Sequence, residues 1–340
     1  MSESTFVISD IHGCYREFKQ LLEKLPLTPE STVVILGDYV DRGENAKGVV
    51  DTILELRQTC NVIALKGNHE EMFLHFIEGR VSNMAATFVF NGGGATLASY
   101  GDDCGNYEVP KDHLDFFKQL DYMHISDEYV FVHAGLPNVP LDQIDVASYE
   151  RQLLWIRREF FNSNFNWGKT VVHGHTPVEE CYISDRRINV DTGCVYGGAL
   201  TALELPYYNT YSVDKLEPTK HIYLRDANSI RKSVRFDTNI PVRIYFEEHT
   251  LLFDTINYSE FGMYISDVKY PEFNRLILEA GQEIKGDLGE FIFDPAPFVA
   301  TVIRHEDKNG TSFYALEFVK TPFECIMAAK NTNVLDFPFF

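Results

Sequence analysis

Between Thr5 and Thr176, five short apolar runs each end in side chains that can hold a metal or move a proton. They are Ser9-Asp10-Ile11-His12-Gly13, Gly37-Asp38-Tyr39-Val40-Asp41-Arg42-Gly43, Gly67-Asn68-His69-Glu70, His133-Ala134-Gly135 and His173-Gly174-His175-Thr176. Carboxylates, imidazoles and one amide without a thiolate suit manganese, iron or zinc better than calcium or a structural zinc site. Asp10, His12, Asp38, Asn68, His133 and His175 are too many ligands for a single ion that must leave room for water, so two are expected. With Asp38 as the bridge, ions about 3.5–4 Å apart would act on a phosphoryl group together, which is the chemistry of phosphoester hydrolysis. An isolated Asp-x-His is common and a lone His at a strand end usually makes an ordinary hydrogen bond. Five clusters in this order, each beside a glycine that lets backbone approach, are what carry the inference. His173 and Trp155 read as core residues.

The elements that must position these groups follow from apolar spacing. Strands are expected at 5–9, 32–36, 62–65, 129–132, 170–172, 188–190 and 199–205, with helices near 15–25, 46–58 and 152–161. A βαβαβ opening places strand ends together at one edge of a sheet, where α/β proteins build their sites. From about Arg235 the pattern changes to short alternating runs at 241–246, 251–255, 262–265, 298–304 and 312–318, which predict a small all-β domain. The expected division is residues 1–217, α/β, and residues 218–340, all-β.

The first region resembles the metallophosphoesterases through Asp10-x-His12, Gly37-Asp38-x-x-Asp41-Arg42-Gly43, Gly67-Asn68-His69-Glu70, His133 and Gly174-His175. The Asp-Arg-Gly and Asn-His-Glu forms are similar to those of phosphoprotein phosphatases, bacterial members especially. The resemblance implies a two-sheet β-sandwich flanked by helices. It implies that Asp10, His12 and Asp38 bind one metal, and Asp38, Asn68, His133 and His175 the other, manganese first among candidates. By the same resemblance His69, paired with Asp41, is the general acid, and Arg42 clamps the phosphate with Arg157, or with Arg158 in its place. Asp41 is expected to raise the pKa of His69. Lys66 departs from the Arg usual in eukaryotic members, and their long specificity loops are absent.

Thirty basic against fifty acidic residues, a formal charge of −20, oppose a broad hold on nucleic-acid polymers. Six scattered cysteines without a C-x-x-C pair, no apolar run long enough to span a bilayer and no leader-like start predict a cytoplasmic protein away from the membrane. Against the acidic background, residues 215–235 form a basic patch. There Arg231-x-x-x-Arg235, followed by Asn257-x-Ser259-x-x-Gly262, resembles the cyclic di-GMP signature of PilZ domains, which implies a PilZ-like barrel. Arginine forks match guanine O6 and N7 as well as phosphate, and Asn257 can pair with a guanine edge. The leading expectation is a phosphomonoesterase acting on phosphoprotein Ser/Thr or Tyr, regulated by cyclic di-GMP. The alternatives are hydrolysis of a dinucleoside polyphosphate or other small phosphoanhydride or diester, and a receptor that has lost catalysis.

Overall fold

The computed structural model describes residues 4–79, 87–102, 106–216, 236–237, 240–259, 261–269, 276–288, 296–308 and 310–320. Contacts divide the chain into two compact units, Met1–Leu74 with Glu108–Ile222, and His75–Tyr107 with Tyr223–Phe340. The sequence reading places no part of 75–107 in the second of these.

In the first unit β1 (Thr5–Ile8), β2 (Thr32–Ile35) and β3 (Asn61–Ala64) run parallel, joined by α1 (Tyr15–Lys24) and α2 (Ala46–Leu56). A second sheet holds β4 (Met123–Ile125), β5 (Tyr129–Val132), β6 (Thr170–His173), β7 (Tyr182–Ile183) and β8 (Arg187–Asn189) in the order β4-β5-β6-β8-β7. The first sheet is completed by β9 (Ala199–Leu205) and β10 (Asn209–Asp214), in the order β10-β9-β1-β2-β3. Period-two alternation explains how the sheets stack. Along β5, Tyr129 and Phe131 point into the core shared with Val7, Val34 and Leu203 of the first sheet, while Val130 and Val132 face Leu153, Phe160 and Trp167 on the other side. A strand buried on both faces reads as an unbroken apolar run, as Tyr-Val-Phe-Val does.

Among the described residues the further α-helices are α3 (Asn68–Ile77), α4 (Gly94–Ser99), α5 (Lys111–Lys118), α6 (Val146–Trp155) and α7 (Arg158–Phe161). The single helix expected at 152–161 is two. Asp145 caps α6 by accepting from the Ser148 amide, and Ile156 turns extended at ψ 139°, which ends α6 before Arg157. Among the described residues no helix is long and apolar enough to cross a membrane.

The second unit contains a six-stranded antiparallel barrel of β12 (Pro241–Phe246), β13 (His249–Ser259), β14 (Gly262–Ser266), β15 (Glu283–Leu288), β16 (Ala296–Lys308) and β17 (Thr311–Lys320). The order β13-β12-β15-β16-β17-β14 closes because β14 pairs back onto β13, while β11 (Phe236–Asp237) lies along the end of β13. Register shifts at Thr255/Asn257, Val299/Ala300 and Val302/Arg304 bend the long strands enough to close the ring. Val242, Ile244, Phe253, Ile265, Phe298 and Leu316 fill the interior.

Candidate metal centre

The five polar clusters sit at the carboxyl ends of β1, β2, β3, β5 and β6, and the structure brings them together. Asp10, His12, Asp38, Asp41, Asn68, His69, His133 and His175 are each no more than 5% exposed, and Arg42 is 9% exposed. The loops achieve this by abnormal backbone. Asp10, His12, Asp38, Asp41, Arg42 and His175 all have φ between 45° and 72°, the left-handed region that costs a non-glycine residue roughly 1–2 kcal/mol. Gly67 and Gly174 allow the closest approaches: a side chain at Gly67 would run into the Asp38 carboxylate, and one at Gly174 into Ser9 and Asp10.

Backbone carbonyls fix the imidazole tautomers. His12 Nδ1 lies 2.9 Å from the Val40 carbonyl and His133 Nδ1 3.0 Å from that of Leu36. A carbonyl only accepts, so both rings donate from Nδ1 and turn the Nε2 lone pair inward. The His12 lone pair faces Asp38 Oδ2 at 3.4 Å. That of His133 faces Asp38 Oδ1 at 3.5 Å and Asn68 Oδ1 at 2.9 Å, with His175 Nδ1 3.1 Å away. Acceptors converging on acceptors repel, and cations among them remove the repulsion, so the donor set fits divalent ions.

Two ligand triads result, His12–Asp38–His69 and Asp38–His133–His175, with Asp38 common to both. Asp10, assigned by resemblance to the first ion, accepts from the Ser9 hydroxyl and from the His175 amide at 2.9 Å. Burial, and then the charge of Asp10, push the Asp38 carboxyl well above its usual range, while Arg42, the His69 amide and Arg157 oppose this. A carboxylate so raised is one that added positive charge stabilises. Burial lowers His133, keeping it in the neutral form a ligand needs.

His69 Nδ1 stands 2.5 Å from Asp41 Oδ2, and its Nε2 4.0 Å from Asp38 Oδ2. The pairing is the expected one, but its electrostatic outcome is not. Burial, then Arg42 and the neighbouring imidazoles, hold His69 well below the ordinary imidazole value, so the expected rise from Asp41 is overridden. Arg42 reaches His12 Nε2 with Nη1 at 2.7 Å. Arg157 follows the break after α6, and its charge acts on both Asp38 and His133.

Glu70 is a part the motif reading left without a role. Its carboxylate accepts from the amides of Asp38 at 2.8 Å, Tyr39 at 2.8 Å, Val40 at 3.3 Å and Gly67 at 2.9 Å. Glutamate in the first turn of a helix, reaching back to the residue before it, is half of a capping box, and Gly67-x-x-Glu70 carried that signal. His173 is fully buried between Phe160 and Phe161, a core histidine lowered by burial to about 4. Trp155, expected in the core, is only partly buried, with its ring edge-on to His175 at 6.2 Å.

In the barrel, Asn257 lies on β13 opposite Tyr264, and Ser259 pairs with Gly262 where β13 turns into β14. Arg231 and Arg235 lie outside the described residues.

The family profile of the Calcineurin-like phosphoesterases matches residues 4–198. A protein of Anoxybacillus flavithermus named bis(5'-nucleosyl)-tetraphosphatase PrpE [asymmetrical] is 29% identical over 238 residues, covering 62% of this chain and 94% of its own. One of the same name from Geobacillus thermodenitrificans is 30% identical with the same coverage. Among solved structures, the Bacillus subtilis inhibitor of motility MotI/DgrA gives a TM-score of 0.24 at 15% identity, covering 40% of this chain and 70% of its own.

Proposed function

The chain belongs to the Calcineurin-like phosphoesterase family, and on that premise we propose that its metal centre cleaves phosphoanhydrides of nucleotides, with dinucleoside polyphosphates as the substrate class. The observation that carries this reading is the pair of bis(5'-nucleosyl)-tetraphosphatase relatives, matched over nearly their whole length. It moves the alternative of the sequence reading ahead of phosphoprotein, which rests on the motif resemblance alone.

The electrostatics of His69 support the same order. A serine alkoxide leaving group needs a proton donor, whereas a departing phosphate needs little help. An imidazole held neutral by burial and by Arg42 suits the second task better than the first. Two divalent ions, manganese foremost with iron or zinc as alternatives, would be held by His12, Asp38, Asn68, His133 and His175 with Asp10 in support. When bound, such ions polarise the phosphoryl group and activate water at neutral pH. Arg42 and Arg157 orient phosphate oxygens, Asp41 holds the His69 ring, and burial excludes bulk water. The manganese-loaded protein should show kcat/KM for diadenosine tetraphosphate at least about tenfold above that for a phosphoserine peptide. His69→Asn should cost the dinucleotide less than about tenfold, since a departing phosphate needs little protonation. The reverse substrate order overturns the reading.

For the barrel, the proposal is cyclic di-GMP binding that regulates turnover. Its support is the arrangement at the closing hairpin, where Asn257, Ser259 and Gly262 lie within one β13–β14 turn and β11 pairs beside Asn257. Calorimetry should show binding at micromolar ligand that Arg231→Ala with Arg235→Ala abolishes, and no heat at tens of micromolar would sink it.

A further inference from the structure

We propose that Trp155 and Tyr196 are two nucleobase platforms, one beside each metal triad and each coupled to one phosphate-orienting arginine. This rests on the nucleotide reading above and specifies how such a substrate is recognised.

The two rings are only partly buried. The other tryptophan, Trp167, is 7% exposed, donates its indole N–H to the Pro137 carbonyl at 2.8 Å and belongs to the core behind β5. Trp155 and Tyr196 are partly exposed, and neither lies in the clusters built around Val7 and around Val130. Each instead touches the metal centre. Trp155 closes α6 with its ring edge-on to His175 at 6.2 Å. Arg157, two residues on, acts on Asp38 and His133 of the same triad. Tyr196 ends the short turn Cys194–Tyr196, held between Gly193 at φ 69° and Gly197 at φ 95°. The Arg42 guanidinium lies 5.4 Å from its ring centroid and reaches His12 of the other triad.

Each triad therefore has one arginine and one partly exposed aromatic ring beside it. A dinucleoside polyphosphate has the matching order: a base, a chain of phosphates, a second base. Bases stack on aromatic rings whatever their sequence, while the arginines take the phosphate oxygens between them.

The test uses the full-length, manganese-loaded protein with two readouts. Trp155→Ala and Tyr196→Leu should each lower kcat/KM for diadenosine tetraphosphate roughly 5–150-fold, the equivalent of one stacked base, mainly through KM. Tripolyphosphate, which has no base, should lose less than the dinucleotide in both variants, and Trp155→Phe and Tyr196→Phe should retain most of the dinucleotide rate. Independently, a methylene-bridged dinucleotide analogue should quench tryptophan emission in the wild type but not in Trp155→Phe, where only buried Trp167 remains. Quenching without hydrolysis sustains the platforms while refuting the hydrolase reading. Hydrolysis without quenching, or equal losses on dinucleotide and tripolyphosphate, overturns the platforms and leaves the hydrolase reading intact.

Discussion

The α/β unit and the barrel handle awkward backbone in opposite ways. Among the described residues, eight other than glycine have positive φ, and six of them are the metal-centre residues Asp10, His12, Asp38, Asp41, Arg42 and His175. At roughly 1–2 kcal/mol each they hold about 6–12 kcal/mol of strain, comparable with the net stability of a whole domain. The barrel strands contain none, and the non-glycine case beside them, Glu247, occupies the two-residue turn between β12 and β13, where such geometry is normal. Strain gathered where charge is also buried marks a place shaped for chemistry. The barrel is shaped for closure.

That contrast can be broken at three places. The largest effect is expected at Asp38, common to both triads. Asp38→Asn should release at least one metal and cut turnover by more than the roughly 10–100-fold typical of losing a supporting partner. Circular dichroism should be unchanged. Elemental analysis on the assayed sample checks it, and two retained metals with full activity would end the claim that Asp38 is shared.

Next come the ion pairs. In the α/β unit Lys215 Nζ meets Glu17 Oε1 at 2.6 Å with side chains 7% and 1% exposed. In the barrel Lys269 meets Asp254 at 2.9 Å with the lysine 55% exposed. Glu17→Gln should destabilise by about 3–5 kcal/mol at pH 7, because it leaves a buried ammonium uncompensated. Lys269→Ala should cost no more than about 1 kcal/mol. Burial works to raise Glu17, but Lys215 and backbone amides outweigh it and the net direction is down. The pair's contribution is therefore present above the ordinary carboxyl value of 4.5 and lost as pH falls through the lower folded value. Urea melts at pH 7 and pH 4 should show the Glu17→Gln penalty shrinking in acid. A penalty independent of pH would mean packing, not charge, joins α1 to the end of β10.

The smallest effect tests the strain itself. Glu247→Gly should raise barrel stability by less than about 1 kcal/mol, since relief of the left-handed conformation is partly offset by unfolded-chain entropy. A loss of stability there would show that positive φ is no guide to strain in this chain.

The same contrast explains what the sequence disclosed. Strands such as Thr-Val-Val-Ile at 32–35 and Tyr-Val-Phe-Val at 129–132 announce themselves because burial on both faces demands unbroken apolar runs. Glu-Ile-Lys-Gly-Asp-Leu at 283–288 is harder to read, since Gly286 stands at an inward position where an apolar side chain would complete the alternation, a place covered by Phe298 of β16 opposite it. Helix α3 was hidden because Asn68-His69-Glu70 drew attention as chemistry and not as a helix start. In the site, residue types and spacing were enough to gather the ligands. They could not give the downward shift of His69, which follows from its burial first, and then from Arg42 and three other imidazoles arriving from distant loops. They also could not separate Trp155, partly exposed beside His175, from buried Trp167, because that difference arises only in the fold.

The four amides gathered by Glu70 tie the loop after β2 to the start of α3. Two segments that would otherwise fluctuate independently share one mechanical coordinate, so Asp38 and Asn68 shift together or not at all. Misplacement by about 1 Å can cost a hundredfold in rate. The tolerance of the whole centre is thus set by a side chain that need touch neither metal nor substrate, and the spacing of the ligands can be retuned from α3 without changing any of them.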